Sequence, residues 1–257
     1  MKPVTAVLLL LLFFGCTESS SGPPEGSGAI RPSQPTKSSH PTRTAASRHS
    51  SIAKEWKDAG AEVGWYGPNP HGFSDCDEKP NDDALLAFWC RDLDIDRIRE
   101  VPTPSSPFAL HFGGSEKLTD EMLVHLARMP KLVALGLNNT DVSDAGIKHL
   151  ADLKSLKSLS ISDTLVTDDG LNALSELPEL QTLYISFLDV SDNGMEVLAR
   201  ITSLQHLDMC KTRVTDAGQK KLAKQKNLKT LGVTGTAISE NGLSEISEVF
   251  PELRIDR

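Results

Sequence analysis

The sequence predicts an α/β solenoid, in which one short unit of strand, turn and helix is stacked along the chain. A recurring phrase is the first observation: TDVSDAG begins at residue 140, TLVTDDG at 164 and TRVTDAG at 212, with looser copies at 188 and 236. The step is 24 residues each time, which is typical of a structural unit and not of a catalytic loop. The second observation is that the apolar spacing within each unit changes from strand-like alternation to helical spacing.

The apolar positions justify each element of the unit. In the first clear unit they are Leu132, Leu135, Leu137, Val142, Ile147, Leu150 and Leu153, and apolar residues return at most of them at each 24-residue step. L-x-x-L-x-L predicts the strand, and G-L-x-x-L-x-x-L predicts the helix. A single unit cannot bury its apolar face, so we expect the units to stack and their strands, about seven, to pair in parallel. Gln219 and Gln225 replace apolar residues in the fourth unit, which predicts a wetter helix there.

The recurring phrase predicts how the turn is built. Its first threonine, present as Thr140, Thr164, Thr212 and Thr236, is expected to satisfy backbone groups in a buried turn, and Leu188 interrupts this series. The second threonine or serine is expected to cap the helix, with the following acid at the positive helix end. The glycine lowers helix propensity. We therefore expect it where neighbouring coils approach too closely for a Cβ atom.

The pattern L-x-x-L-x-L-x-x-T-x-V-[TS]-D-x-G-[LIM]-x-x-L-x-x-L over residues 108–257 resembles the leucine-rich repeat. The subtype it is similar to is shared by ribonuclease-inhibitor-like and F-box-associated repeats and by bacterial surface lipoproteins. The resemblance implies a right-handed solenoid in a horseshoe arc, with strands on the concave face and helices on the convex face. It also implies that the protein binds another macromolecule. We see no F-box segment, and the export signal described next argues against a ubiquitin-ligase role.

Residues 1–16 carry the features of an export signal. Lys2 is followed by about a dozen mostly apolar residues, too few to span a membrane but typical of a signal peptide. The run ends in Phe14-Gly15-Cys16, which resembles the bacterial lipobox and implies acylation of Cys16. Ordinary cleavage with a chance cysteine and an uncleaved anchor are the alternatives. With Thr17 next, the resemblance implies sorting to the outer membrane in a bacterium with two membranes. Without lipidation, we expect a secreted protein.

Two segments separate the leader from the repeats. Residues 17–50 are rich in Ser, Pro and Thr and predict a disordered tether, because they cannot bury enough apolar surface. Residues 51–107 do not repeat. They predict an N-terminal cap with a short helix stopped by Gly60 and strands in AEVGWYG, LLAFWC and DLDIDRI, since a solenoid needs a terminal cap.

In an exported chain Cys76 and Cys90 would be able to form a disulfide, with two buried or free thiols as the alternative.

The sequence motifs predict no enzyme, no metal site and no cofactor. The chain has no nucleotide loop, zinc-protease helix or nucleophile elbow. Asp92-x-Asp94-x-Asp96 is similar to a calcium loop, but Arg97 stands where that loop needs glycine, so an alternating strand is favoured. The net charge of −8 argues against nucleic-acid binding. Residues 211–229 are nevertheless basic and predict either a solvated face or a site for an anionic partner.

We predict that the binding surface lies on the outward side of the third and fourth strands. Its members combine aromatic rings with mixed charges, as interaction hot spots do: Tyr184, Phe187, His206, Asp208, Cys210 and Lys211. His206, Asp208 and Cys210 alternate along one strand, which leaves a thiol catalyst or a metal site as a second interpretation and an ordinary polar face as a third.

The function predicted is therefore that of an exported, lipid-anchored protein of the bacterial cell envelope. It would bind a protein, or else a glycan or peptidoglycan, through its repeat surface, and would contact the membrane through Cys16. A passive envelope scaffold without a specific ligand and a thiol-dependent enzyme at Cys210 are the alternatives. The sequence leaves the oligomeric state and the ligand open.

Overall fold

The computed structural model describes residues 43–67, 73–74, 84–93 and 95–257. The predicted signal peptide with Cys16, residues 17–42 of the predicted tether, and Cys76 lie outside the described residues. Export and lipidation therefore stay predictions. No helix within the described ranges is long and apolar enough to cross a membrane.

Within the described residues, ten strands form one open sheet. They are β1 (Glu62–Tyr66), β2 (Phe73–Ser74), β3 (Leu85–Trp89), β4 (Phe108–His111), β5 (Leu132–Gly136), β6 (Ser158–Ser160), β7 (Thr182–Tyr184), β8 (His206–Asp208), β9 (Thr230–Gly232) and β10 (Arg254–Asp256). Their order across the sheet is β10-β9-β8-β7-β6-β5-β4-β3-β1-β2. From β3 to β10 every neighbouring pair is parallel, whereas β1 pairs antiparallel with both β2 and β3.

Short helices connect the parallel strands. The helices are α1 (Arg43–Asp58), α2 (Asp120–Leu126), α3 (Asp144–Lys148), α4 (Asp168–Leu171), α5 (Asp192–Leu198), α6 (Asp216–Lys221) and α7 (Glu240–Val249). Single 3₁₀ turns extend α3, α4 and α6. Helices α2 to α7 each follow one parallel strand and precede the next, so one repeat is a strand, a turn and a helix. The predicted α/β solenoid is confirmed.

The core is a stack of aliphatic side chains in register. Leu135, Leu159, Leu183, Leu207 and Leu231 pair directly across neighbouring strands, and each is at most 2% exposed. The helix-side positions of every repeat join the same continuous cluster. Removing this apolar surface from water is the main stabilising term, at roughly 25 cal/mol per Å².

The turns are built as the recurring phrase predicts. The hydroxyls of Thr140, Thr164, Thr212 and Thr236 each donate to the carbonyl oxygen three residues earlier, at 2.6–2.8 Å. Leu188, which interrupts this series, is buried instead. The second hydroxyl of the phrase caps each helix by accepting from a backbone N–H of the first turn, as predicted.

The acid after the cap joins neighbouring repeats, a role that the sequence did not indicate. Asp144 accepts the backbone N–H of Thr167 at 2.8 Å through Oδ1 and its hydroxyl at 2.7 Å through Oδ2. Asp120, Asp168, Asp192 and Asp216 repeat these contacts. A Cβ atom at Gly170 would collide with Asp144 Oδ1. The close approach expected at this glycine is confirmed, and its cause is the carboxylate of the preceding repeat.

The two glutamines of the fourth unit are buried, so the expectation of a wetter helix is wrong. Gln219 is 2% exposed and Gln225 is fully buried. The Gln225 amide donates to the carbonyls of Leu198 at 2.5 Å and Ile201 at 3.0 Å, and Gln219 donates to Gly242. The amide N–H groups thus bond to carbonyls of a neighbouring repeat, which offsets part of the cost of burying a polar side chain, while both Oε1 atoms are buried without a hydrogen-bond partner.

The cap differs from the predicted boundaries in two places. Helix α1 begins at Arg43, inside the segment predicted to be disordered. No proline or glycine stands between Pro41 and Gly60, so nothing in this stretch interrupts a helix. Residues Ile95–Arg99 form a 3₁₀ helix and not the predicted strand, since aspartate favours local turns over strands. The sheet also extends beyond the predicted repeats, because β3 of the cap pairs in parallel with β4.

The side chain of Cys90 is fully buried. Its Sγ lies 3.5 Å from the carbonyl oxygen of Phe88, and burial raises the pKa of the thiol far above its usual range. Its predicted partner, Cys76, lies outside the described residues, so the disulfide stays a prediction.

We expect Leu159→Ala to lower the free energy of unfolding by about 2–5 kcal/mol, because the site is closed on all sides by neighbouring repeats. Urea denaturation measures the loss. Ser160→Ala, at the adjacent outward position, is the matched control and should change stability by less than about 0.5 kcal/mol. A loss below about 1 kcal/mol for Leu159→Ala would contradict the register described above.

The Asp144–Gly170 contact predicts an unusual glycine effect. In an ordinary helix, Gly→Ala stabilises by up to about 1 kcal/mol. Here Gly170→Ala should destabilise by about 1–3 kcal/mol, because the new Cβ meets the carboxylate. The same change should cost less in an Asp144→Ala background. Equal costs in both backgrounds, in a double-mutant cycle by urea denaturation, would rule out the carboxylate as the cause.

Candidate binding surface on the sheet

The outer face of the sheet, opposite the helices, forms a cleft of about 710 Å³. Tyr66 of β1 lines it at one end, and Arg254 and Asp256 of β10 line it at the other. Residues of distant strands therefore share one concavity. Four members of the predicted binding site lie in the cleft: Tyr184, His206, Asp208 and Cys210.

The cap covers one end of this face. Ala87, Ala109 and Ala134 occupy neighbouring strands and are at most 1% exposed, because Tyr66 and Trp89 pack against them. The open surface therefore begins further along the sheet, toward β6. Neither aromatic was predicted from the sequence to lie on this face. The signal in the sequence was the alanine that recurs at one outward strand position. Side chains this small become buried on the outer face of a sheet only when another part of the chain packs over them.

The His111 side chain covers Gly136 of the neighbouring strand, next to these alanines. Its ring lies against Gly136, so that a Cβ at this glycine would clash with it. Burial lowers the pKa of His111, and the nearby Arg91 acts in the same direction. His111 is thus a neutral packing group at the covered end of the face.

Tyr184 and Asp208 are direct neighbours on β7 and β8. Asp208 Oδ1 accepts from the Ser186 hydroxyl at 2.7 Å and from the backbone N–H of Cys210 at 3.1 Å. Burial raises the pKa of Tyr184 to about 12, and Tyr66 and Asp208 contribute. The phenol therefore stays protonated at neutral pH and can donate a hydrogen bond to a ligand.

The His206 ring faces a threonine hydroxyl and not the Cys210 thiol. His206 Nδ1 lies 2.8 Å from the hydroxyl of Thr230, and burial lowers the pKa of its ring. Burial, followed by Asp208, raises the pKa of the Cys210 thiol. A nucleophilic cysteine needs the opposite shift. Within the described ranges, no group of three or more His, Cys, Asp or Glu side chains is placed to hold a metal ion.

Phe187 and Lys211 each lie three residues after the end of a strand, β7 and β8 respectively, and we call this pair the rim. The Phe187 ring is 58% exposed, and Lys211 Nζ lies 5.8 Å from its centroid. Both residues have left-handed backbones, with φ of 63° and 59°. Asn139, Asp163 and Gly235 take the same conformation at the equivalent position of other repeats, and these residue types tolerate it well. A phenylalanine there is an outlier.

The basic stretch 211–229 is partly neutralised by neighbouring repeats. The ion pairs are Arg213–Asp189 at 2.5 Å, Lys220–Glu245 at 2.9 Å and Lys221–Glu196 at 3.4 Å. The stretch itself holds a single acid, Asp216, whereas each of these three acids belongs to an adjacent repeat. The structure therefore weakens the hypothesis of an anion site at this face.

Comparisons with known proteins give similarity to solved structures only. No family model and no curated protein matches the chain. An internalin of Listeria monocytogenes is similar over 58% of this chain and 40% of its own, with 21% identity and a TM-score of 0.47. A leucine-rich-repeat protein of Leptospira interrogans is similar over 52% of this chain and 39% of its own, with 21% identity and a TM-score of 0.41. The chain thus spans about two fifths of the length of either structure.

The raised pKa of Cys210 predicts slow thiol chemistry. We expect the alkylation rate of Cys210 to reach half its maximum at a pH above about 8.5, the value of an ordinary thiol. Asp208→Asn should move this midpoint down, because it removes a negative charge beside the thiol. Peptide mass spectrometry after timed alkylation reads Cys210 separately from Cys90, which should react only on unfolding. A midpoint below pH 7 would support a thiol enzyme.

Proposed function

We propose that this chain, whose 24-residue repeats fold as the leucine-rich-repeat resemblance implies, binds a protein partner through the cleft and the rim. The observation that carries this proposal is Phe187. A bulky residue in the left-handed region costs roughly 1–3 kcal/mol. The isolated chain recovers little of that cost, because the ring is 58% exposed. Strain of this kind persists where it serves a function, and an exposed aromatic beside a cation is typical of an interaction hot spot.

The cleft next to the rim supplies the polar part of the surface. Asp208 is held by two hydrogen bonds, Tyr184 is a protonated donor, and the His206 ring is held against Thr230. A partner meets these groups already oriented, so it loses little entropy in ordering them. Apolar contact at the rim beside hydrogen-bonding groups in the cleft suits a protein surface better than a uniformly polar glycan. Binding of a glycan or of peptidoglycan is an alternative outcome of the experiment below.

We further propose that the protein is exported and anchored by a lipid on Cys16 in the cell envelope. In a bacterium with two membranes, the outer membrane is the expected site. The support is the short apolar leader that ends in Phe14-Gly15-Cys16. The role is that of a binding protein and not an enzyme, which agrees with the raised thiol pKa of Cys210. A passive scaffold without a specific ligand is the competing proposal.

Phe187→Asn separates binding from stability. Asparagine is the residue at the equivalent position 139, so we expect the free energy of unfolding to rise by about 1 kcal/mol as strain is relieved. Binding should weaken about 30-fold, as for a hot spot worth about 2 kcal/mol. The partner is first enriched from an envelope extract on the immobilised chain and identified by mass spectrometry. Its affinity is then measured with the purified proteins.

Val124→Ala is the matched control, because Val124 is a partly exposed apolar residue of α2 and should leave the affinity unchanged. Enrichment of a protein by wild type and Val124→Ala but not by Phe187→Asn supports the proposal. If Phe187→Asn binds as wild type does, the rim is not the contact. If no protein but only wall glycan is retained, the partner class is wrong, and if nothing specific is retained the passive scaffold is favoured.

Cys16→Ser tests the anchor. We expect the wild-type protein, expressed in a bacterium with lipoprotein processing, to partition into the detergent phase, because its acyl chains supply the apolar surface that the processed chain lacks. The Cys16→Ser variant should partition into the aqueous phase. Aqueous partitioning of both proteins would mean that Cys16 is not lipidated.

A further inference from the structure

Asp208 carries the one uncompensated charge among the cleft residues that the structure describes. The other acidic and basic side chains of the cleft are either neutral or paired. Burial lowers the pKa of His206, so its ring is uncharged at neutral pH. The remaining charges are balanced by two ion pairs, Lys157–Glu179 at 3.5 Å and Arg254–Asp256 at 3.0 Å. Within the described ranges, no basic side chain pairs with Asp208.

The Asp208 carboxylate is held in position and still has room for a further hydrogen bond. Its Oδ1 accepts from the Ser186 hydroxyl at 2.7 Å and from the backbone N–H of Cys210 at 3.1 Å. In the described part of the chain, no N–H or O–H group donates to Oδ2. An ionised carboxylate offers about four acceptor sites. A ligand can therefore bond to Oδ2 without displacing the two contacts that orient the side chain.

The two neighbours of Asp208 in the sheet leave space beside the carboxylate. Tyr184 on β7 and Gly232 on β9 pair with it in register. A Cβ atom at Gly232 would lie 2.8 Å from Asp208 Oδ1 and 3.3 Å from Cys210 Sγ, so the missing side chain keeps this side of the carboxylate open. The half-buried Tyr184 stands on the other side. A cation bound to Asp208 thus also has an aromatic ring within reach, which adds a cation–π attraction.

We propose that Asp208 binds an arginine side chain of the protein partner, in the space between Tyr184 and Gly232. A guanidinium group suits this space, because it is planar and can donate to a carboxylate while it stacks against an aromatic ring. The inference rests on the proposed function and deepens it, since it states the chemistry that the partner brings to the cleft. The arginine would form the polar contact and Phe187 the apolar contact of the same partner.

The tyrosines of the chain report directly on this site. There are two, Tyr66 and Tyr184, and both line the cleft. Purified full chain with ring-¹³C tyrosine therefore gives two sets of ring signals, which Tyr66→Phe assigns. The probe is N-acetyl-arginine amide, and N-acetyl-citrulline amide is its neutral counterpart of the same shape. We expect the Tyr184 signals to shift saturably with the arginine probe. The citrulline probe should bind at least about tenfold more weakly, because it forms no charge-assisted hydrogen bond.

Asp208→Asn removes the charge but keeps an oxygen for the Ser186 hydroxyl, and it should raise the dissociation constant of the arginine probe at least about tenfold. Gly232→Ala keeps the charge but fills the space, so it should also weaken binding. Asp169→Asn is the matched control, because it makes the same charge change at an exposed position of α4 and should leave the dissociation constant unchanged. Urea denaturation checks that each variant is folded.

Three results would overturn the inference: no saturable shift up to the solubility limit of the arginine probe, equal binding of the two probes, or equal binding of the arginine probe by wild type and Asp208→Asn. Each of them leaves the proposed function to its own test, because the Phe187→Asn comparison uses the protein partner and not these probes.

Discussion

Each repeat of this protein is joined to the next by one carboxylate. Asp144 accepts both the backbone N–H and the hydroxyl of Thr167 and occupies the space that a side chain at position 170 would need. The same contact recurs at the other repeats, so each turn is held in the same position relative to the turn of the preceding repeat. The leucine stack, the parallel register and the outward rows of side chains all depend on this constant step. A slip of one residue would turn the apolar side chains outward.

A regular scaffold of this kind makes departures from regularity informative. Three residues after a strand, Asn139, Asp163 and Gly235 suit the left-handed backbone. Phe187 and Lys211 do not, and they follow the two neighbouring strands that carry Tyr184 and Asp208. The two strained backbone conformations thus occur beside the part of the outer face whose side chains differ most in chemistry. Repeats that serve only packing have no need of such a substitution.

The two ends of the sheet differ in how they are finished. At the cap, Tyr66 and Trp89 lie over a row of alanines, and an antiparallel strand ends the parallel series. At the other end, β10 pairs in parallel with β9 and continues the same series. The open part of the cleft therefore lies away from the cap, along β6 to β10. The position of the cleft therefore depends on the cap, which covers one end of the outer face, as well as on the repeats.

The sequence by itself determined the unit, its length, the buried leucines, the helix caps and the close approach at the glycine, because each follows from the pattern that the repeats share. It also identified six candidate binding residues, of which four share the cleft and two form the rim. The side-chain contacts between neighbouring repeats were decided only by the tertiary structure. Gln225 is buried because carbonyls of the preceding repeat accept its amide, and Lys220 is neutralised by Glu245. These partners lie about one repeat away in sequence, and their chemistry becomes visible only when stacking brings them within a few ångströms.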